Sequence, residues 1–127
     1  QQIRNSIYSY LDWVDIFSIH GLVGSASINA VIDEFDKMKW ILVGQMSASN
    51  NLIERKYTKS CIEIYKSRDN IIGMVCQENL GKDIIHIVPG ISKHIASDNA
   101  GQSYSQMCEK PFADFFVVGR SISKFLD

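Results

Sequence analysis

The sequence predicts an α/β fold on a parallel sheet, about five βα units in all, and three observations carry that reading. Short apolar runs of strand length recur five times along the chain. They alternate with stretches whose apolar residues repeat at helical spacing. Each run also leads directly into polar or glycine-rich residues: His20-Gly21, Ser47, Gln77-Glu78, Pro89-Gly90 and Gly119-Arg120. In parallel α/β folds the loops after the strands project from one face and collect the ligand, so a single shared site is expected there.

The elements follow in order. Ile3, Ile7, Tyr10 and Leu11 are spaced for one helical face, and Val14 to Ile19 reads as a strand broken by His20-Gly21. Ser27 to Met38 places Ile28, Val31, Ile32, Phe35 and Met38 at helical spacing, with Ser25 or Ser27 as the cap. Trp40 to Met46 is a nearly continuous apolar run that closes in the loop Ser47-Ala48-Ser49-Asn50-Asn51. Glu54 to Ser67 reads as an amphipathic helix with Tyr57, Cys61, Ile64 and Tyr65 inward. Ile71 to Cys76 and Ile84 to Val88 are two further buried strands, the second ending at Pro89-Gly90. A polar stretch from Ser92 to Gln106 precedes the last strand, Phe115 to Val118, and the turn Gly119-Arg120-Ser121.

Composition bounds the function. The 127 residues amount to a single domain, 1–127, with 46% hydrophobic and 21% charged residues. Thirteen Lys and Arg against fourteen Asp and Glu leave a formal net charge of −1. That balance exerts no general pull on nucleic acid or an anionic membrane, so neither is expected as a partner. Any phosphate chemistry must come from a local site. No run approaches the ~20 apolar residues of a membrane span. Cys61, Cys76 and Cys108 are an odd number without CxxC spacing, which reads as reduced thiols of a cytoplasmic protein, two of them in or near a core. His86 and His94 have no carboxylate or cysteine at metal-ligand spacing, and no metal is expected. Gln1-Gln2-Ile3-Arg4 is not a signal peptide, and without an initiator Met the chain is expected to be a piece of something longer.

Three motifs near the end are specific. They are Ile87-Val88-Pro89-Gly90-Ile91, Asp98-Asn99-Ala100-Gly101-Gln102-Ser103-Tyr104 and Asp114-Phe115-Phe116-Val117-Val118-Gly119-Arg120. Upstream stand Trp13-Val14-Asp15-Ile16 to His20-Gly21, Leu42-Val43-Gly44-Gln45-Met46-Ser47 and Tyr57-Thr58-Lys59. In this order and spacing the set resembles the orotidine 5′-monophosphate decarboxylases, with their W-A-D-x-x-N-A-H, L-x-A-E-[LM]-S and Y-T-[KR] segments, G-D-x-x-G-Q-Q-Y loop and D-I-I-x-V-G-R-G turn. The resemblance covers nearly the whole chain. It implies a partial TIM (β/α)8 barrel, strands four to eight, of an enzyme family in pyrimidine biosynthesis that uses neither metal nor organic cofactor.

The resemblance also implies roles. Gly119 would let a nucleotide 5′-phosphate approach the backbone and Arg120 would clamp it, which suits an always-charged bidentate donor. Gln102 would reach from the phosphate towards the pyrimidine edge, and the Tyr104 hydroxyl would touch the phosphate. Ser47 would hydrogen-bond the pyrimidine and the Gln102 amide, and Pro89 would line the pocket beside the base. His20 reads as structural and Asp98 as a loop-shaping side chain. The implied ligand is orotidine or uridine 5′-monophosphate.

The family's chemistry needs a D-x-K-x-x-D segment, and this sequence does not contain one. Asp33, Asp36, Lys37 and Lys39 have the wrong spacing and read as a solvated helix face. No catalytic residue is therefore assigned. The expected partner is a missing N-terminal half or a second copy in a homodimer, and a decarboxylase-derived pseudo-enzyme that binds a nucleotide or protein is the alternative. Gln45 for the usual Glu, Asn50-Asn51 for a glycine-containing loop, Ser103 for the second Gln and Ser121 for the usual Gly depart from the pattern.

Overall fold

A computed structural model describes residues 12–93, 97–99 and 101–123. Five strands form one all-parallel sheet in chain order: β1 (Ile16–His20), β2 (Lys39–Val43), β3 (Ile71–Val75), β4 (His86–Pro89) and β5 (Phe115–Val117). Helix α1 (Gly24–Glu34) joins β1 to β2, and α2 (Arg55–Lys66) joins β2 to β3. A short α3 (Arg120–Ser123) follows β5. The α/β class and the parallel sheet of a partial barrel are as the sequence predicts. Among the described residues, however, β3–β4 and β4–β5 are joined without a full helix. The helical reading over residues 3–11 lies outside the described residues.

Register sorts the side chains into two faces, because partners in a parallel pair project to the same side. Ile19, Leu42, Met74 and His86 form one row, and Leu42, Met74 and His86 are buried. This row packs beneath the helices, with Ile28 and Ile32 of α1 and Cys61 and Ile64 of α2 in the same core as Trp40 and Leu42. Truncating a fully buried side chain such as Leu42 to Ala would cost about 2–5 kcal/mol. A second core under β4 and β5 gathers Cys76, Val88 and Ile91 with Phe112 and Phe116.

The opposite row is His20, Val43, Val75, Ile87 and Phe115. It is buried only towards the middle of the sheet, and the edge residues Ile16, Phe115 and Val117 are exposed. All-parallel sheets are ordinarily covered on both faces. Among the described residues the helices cover one.

The boundaries correct several expectations. Helix α1 starts at Gly24, its N-cap is Val23 with no side-chain cap bond, and Ser25 and Ser27 lie inside it. It ends at Glu34, so Phe35 and Met38 reach the core from a turn. Asp36 and Lys37 lie in that turn and Lys39 opens β2, so they share no helix with Asp33. All four are exposed, and Asp33 is ion-paired with Arg68. His20 is exposed at the end of β1 rather than packed among neighbours.

Candidate functional site

The ends of β2, β4 and β5 and the loop between β4 and β5 build one cluster. Its base is Gly90, directly after β4, with φ at +74°. A Cβ at this position would lie 2.7 Å from the Ser47 Cβ, 2.8 Å from the Gln102 Nε2 and 2.9 Å from the Ser103 carbonyl oxygen. Only glycine serves both demands, a left-handed backbone and contact with three neighbours.

The loop carrying residues 97–105 is stitched to the sheet by backbone bonds. The Ser103 amide donates to the Ser47 carbonyl at 3.2 Å, and the Ser49 amide donates to the Gly101 carbonyl at 2.9 Å. The Ser105 amide donates to the Gly90 carbonyl at 2.8 Å. Ser49 and Ser103 also share a hydroxyl–hydroxyl bond of 2.6 Å. Ser103, the departure from the usual Gln, is therefore used to hold the loop down.

On this frame the expected residues meet. The Gln102 side-chain amide donates to the Ser47 hydroxyl. It also donates to the Ser103 carbonyl at 3.1 Å. Its backbone amide donates to Asp98 Oδ1 at 3.1 Å. The Tyr104 hydroxyl donates to Asp98 Oδ2 at 2.8 Å, and the Arg120 guanidinium pairs with the same oxygen at 2.5 Å. Burial pushes the Tyr104 phenol above its ordinary value, and donation to the Asp98 carboxylate pushes it further, while Arg120 pulls it back. Pro89 pairs with Val117 in the β4–β5 ladder, which sets Gly119 and Arg120 just beyond the end of β4. Gly119 is exposed, and a side chain there would meet no atom within 4 Å among the described residues.

Asp98 is thus the hub, accepting from Gln102, Tyr104 and Arg120, though the sequence marked it only as loop-shaping. A second set was not foreseen. The Gln45 side-chain oxygen accepts from the Gln77 amide at 2.7 Å and the Glu78 amide at 3.2 Å. Gln77 then donates to the Pro89 carbonyl at 3.1 Å, and the Lys110 ammonium donates to the Gln77 carbonyl at 2.6 Å. These bonds tie the ends of β2, β3 and β4 together. An uncharged polar side chain at each strand end is the signal that hinted at them.

Outside this cluster lie an open cleft and a pair made by a buried histidine with a half-exposed carboxylate. The cleft, of about 620 Å³, lies between the end of β1 and α2 and is lined by His20, Leu22, Leu52, Ile53 and Tyr57, among others. His86 gains a carboxylate neighbour from far along the chain. Its Nε2 accepts from the Leu80 amide at 3.0 Å, so Nδ1 carries the proton and faces Asp114 Oδ2 at 3.4 Å. His94 lies outside the described residues. Among those described, no group of three or more His, Cys, Asp or Glu could hold a metal ion, and no helix is long and apolar enough to cross a membrane.

The family model for the orotidine 5′-phosphate decarboxylase / HUMPS family matches residues 2–125. The chain is 27% identical to the orotidine 5′-phosphate decarboxylase of Komagataella pastoris, over 95% of this chain and 51% of that protein. It is 25% identical to the Saccharomyces cerevisiae enzyme of the same name, over 95% of this chain and 50% of that protein. It is 22% identical to the uridine 5′-monophosphate synthase of Bos taurus, over 96% of this chain and 27% of that protein. The chain spans about half the length of the curated decarboxylases it matches. A match that runs through nearly every residue, over a parallel sheet with the expected motifs at its strand ends, places the chain in the orotidine 5′-phosphate decarboxylase / HUMPS family.

Proposed function

We propose that this chain is the nucleotide-gripping half of an orotidine 5′-monophosphate decarboxylase barrel in pyrimidine biosynthesis. It binds orotidine or uridine 5′-monophosphate through Ser47, Pro89, Gln102, Tyr104, Gly119 and Arg120. The observation that carries this reading is the convergence of Gln102 on Ser47, and of Tyr104 and Arg120 on one carboxylate oxygen. Two donors aimed at one anionic oxygen also suit a phosphate oxygen. The open space around Gly119 suits a phosphate approaching the backbone, and the Gln102–Ser47 pair suits the edge of a neutral base.

The charged residues that perform decarboxylation would belong to the other half of the barrel. The exposed Ile16, Phe115 and Val117 on the two edge strands fit a partner that continues the sheet and packs on the face that the described helices leave open. That partner is an N-terminal half or, in a dimer, a second copy. The second reading, a pseudo-enzyme that binds without turnover, draws on the lack of a D-x-K-x-x-D segment in these 127 residues.

Calorimetric titration with uridine 5′-monophosphate tests the first reading. Saturable binding is expected, weakened on the order of tenfold or more in Arg120→Ala, the loss expected for a charged hydrogen-bond donor. Equal affinity in both proteins would sink the phosphate assignment. Turnover of orotidine 5′-monophosphate on mixing with a chain bearing D-x-K-x-x-D would remove the pseudo-enzyme reading.

A further inference from the structure

Asp98 occupies the position that the proposed ligand needs. Its side chain is 14% exposed, against 51% for Arg120, so the carboxylate sits within the loop while the cation reaches out to it. One oxygen, Oδ2, takes both the Tyr104 hydroxyl and the Arg120 guanidinium, and Oδ1 takes the Gln102 amide. A carboxylate offers two anionic oxygens in a plane, and a phosphomonoester offers three on a tetrahedron. Both are read by the same donors. The two anions cannot share Tyr104 and Arg120 at hydrogen-bond distance without severe like-charge repulsion in a partly dehydrated site.

We infer that Asp98 is a resident carboxylate stand-in for the nucleotide phosphate, holding Tyr104 and Arg120 in place when the site is empty and leaving Oδ2 when a phosphomonoester binds. This rests on the nucleotide reading above and adds an internal competitor for the phosphate to it. A ligand without a phosphate leaves the Asp98 contacts in place and gains nothing from Arg120, while a dianion outcompetes the monoanion there. Backbone bonds from Ser103 to Ser47 and from Ser105 to Gly90 hold the loop independently of Asp98, so the carboxylate can turn away without releasing it.

The test compares the full wild-type chain with Asp98→Asn, which keeps the shape and removes the charge. Calorimetry with uridine 5′-monophosphate and with uridine gives affinities, and melting temperature without ligand gives stability. Asp98→Asn should bind the monophosphate about tenfold more tightly, the gain from removing a competitor that fills the site nine-tenths of the time. Its affinity for uridine should change far less, so that discrimination between the two ligands widens. Its melting temperature without ligand should fall, because the Arg120 ion pair is lost. A merely structural Asp98 would lower affinity and melting temperature together. Monophosphate binding by the wild type with equal or weaker binding by Asp98→Asn overturns the inference alone. If neither protein binds the monophosphate, the inference falls with the nucleotide reading beneath it.

Discussion

The Gln45 side-chain amide donates to the Glu78 carboxylate at 2.7 Å, joining the residues that follow β2 and β3. The L-x-A-E-[LM]-S pattern that this segment resembles has Glu at the position of Gln45, and here that exchange would set two carboxylates against each other. Gln45→Glu should therefore destabilise the chain at neutral pH by about 1 kcal/mol, the scale of an exposed pair turned from attraction to repulsion. Protonation relieves the clash, so the gap to wild type should shrink as pH falls through the ordinary carboxylate range. Urea denaturation at pH 7 and at pH 4 checks it, and equal stability at both would refute it.

Asp114 holds its carboxyl below the usual carboxylate value. The largest cause is donation from the His86 backbone amide, at 2.7 Å, with the His86 ring adding to it. A depressed folded-state pKa contributes stability that is fully present above the unfolded value, about 3.9, and is lost as pH falls through the folded value. Asp114→Asn should thus lower stability at pH 6 and flatten the acid limb of the stability curve. Parallel acid limbs in the two proteins would show that this carboxylate contributes nothing.

Gly90→Ala strikes the frame of the site. The positive φ alone costs about 1–2 kcal/mol for a residue with a Cβ. Contacts below 3 Å with Ser47, Gln102 and Ser103 add to that cost. The expected loss is about 2–4 kcal/mol, read from the denaturation midpoint. Affinity for uridine 5′-monophosphate should drop as well, because two of those neighbours are proposed ligands of the base. Wild-type stability in the variant would mean that the loop does not pack as described.

The thiols should react unequally. Cys61 and Cys76 are buried, and Cys108 is exposed. Burial pushes the Cys76 thiol up to about 12 and raises that of Cys61 as well, so neither supplies thiolate near neutral pH. A disulfide reagent at pH 8 should label one cysteine rapidly and the other two only on unfolding. Rapid labelling that survives Cys108→Ser would contradict the burial of the other two.

Much of this fold was legible because fully buried parallel strands must be short and apolar, and five such runs stand out. The helix limits were not. Phe35 and Met38 keep helical spacing because they pack on the same core, yet they do so from a turn. Likewise the run past Val43 looks like strand, but the Gly44 and Gln45 amides both donate to the Val75 carbonyl and end the regular ladder. In the site, Ser47, Gln102, Tyr104 and Arg120 were legible through their motifs. The Gln45 bridge was not, since a hydrogen bond across tens of residues leaves no periodic trace, and neither was the threefold duty of Asp98, because its partners inside an irregular loop follow no repeat.

Because each strand pairs with its sequence neighbours, a nascent chain can lay down this sheet from one edge to the other as it is synthesised. The segment 90–114 has no full helix among its described residues to shorten the search, so β5 is the strand whose docking costs most in loop entropy. Tyr104 is carried on that segment and Arg120 follows β5. The proposed anion site is consequently expected to take shape last among the described elements, and a bound monophosphate would act as a latch on the final step of assembly.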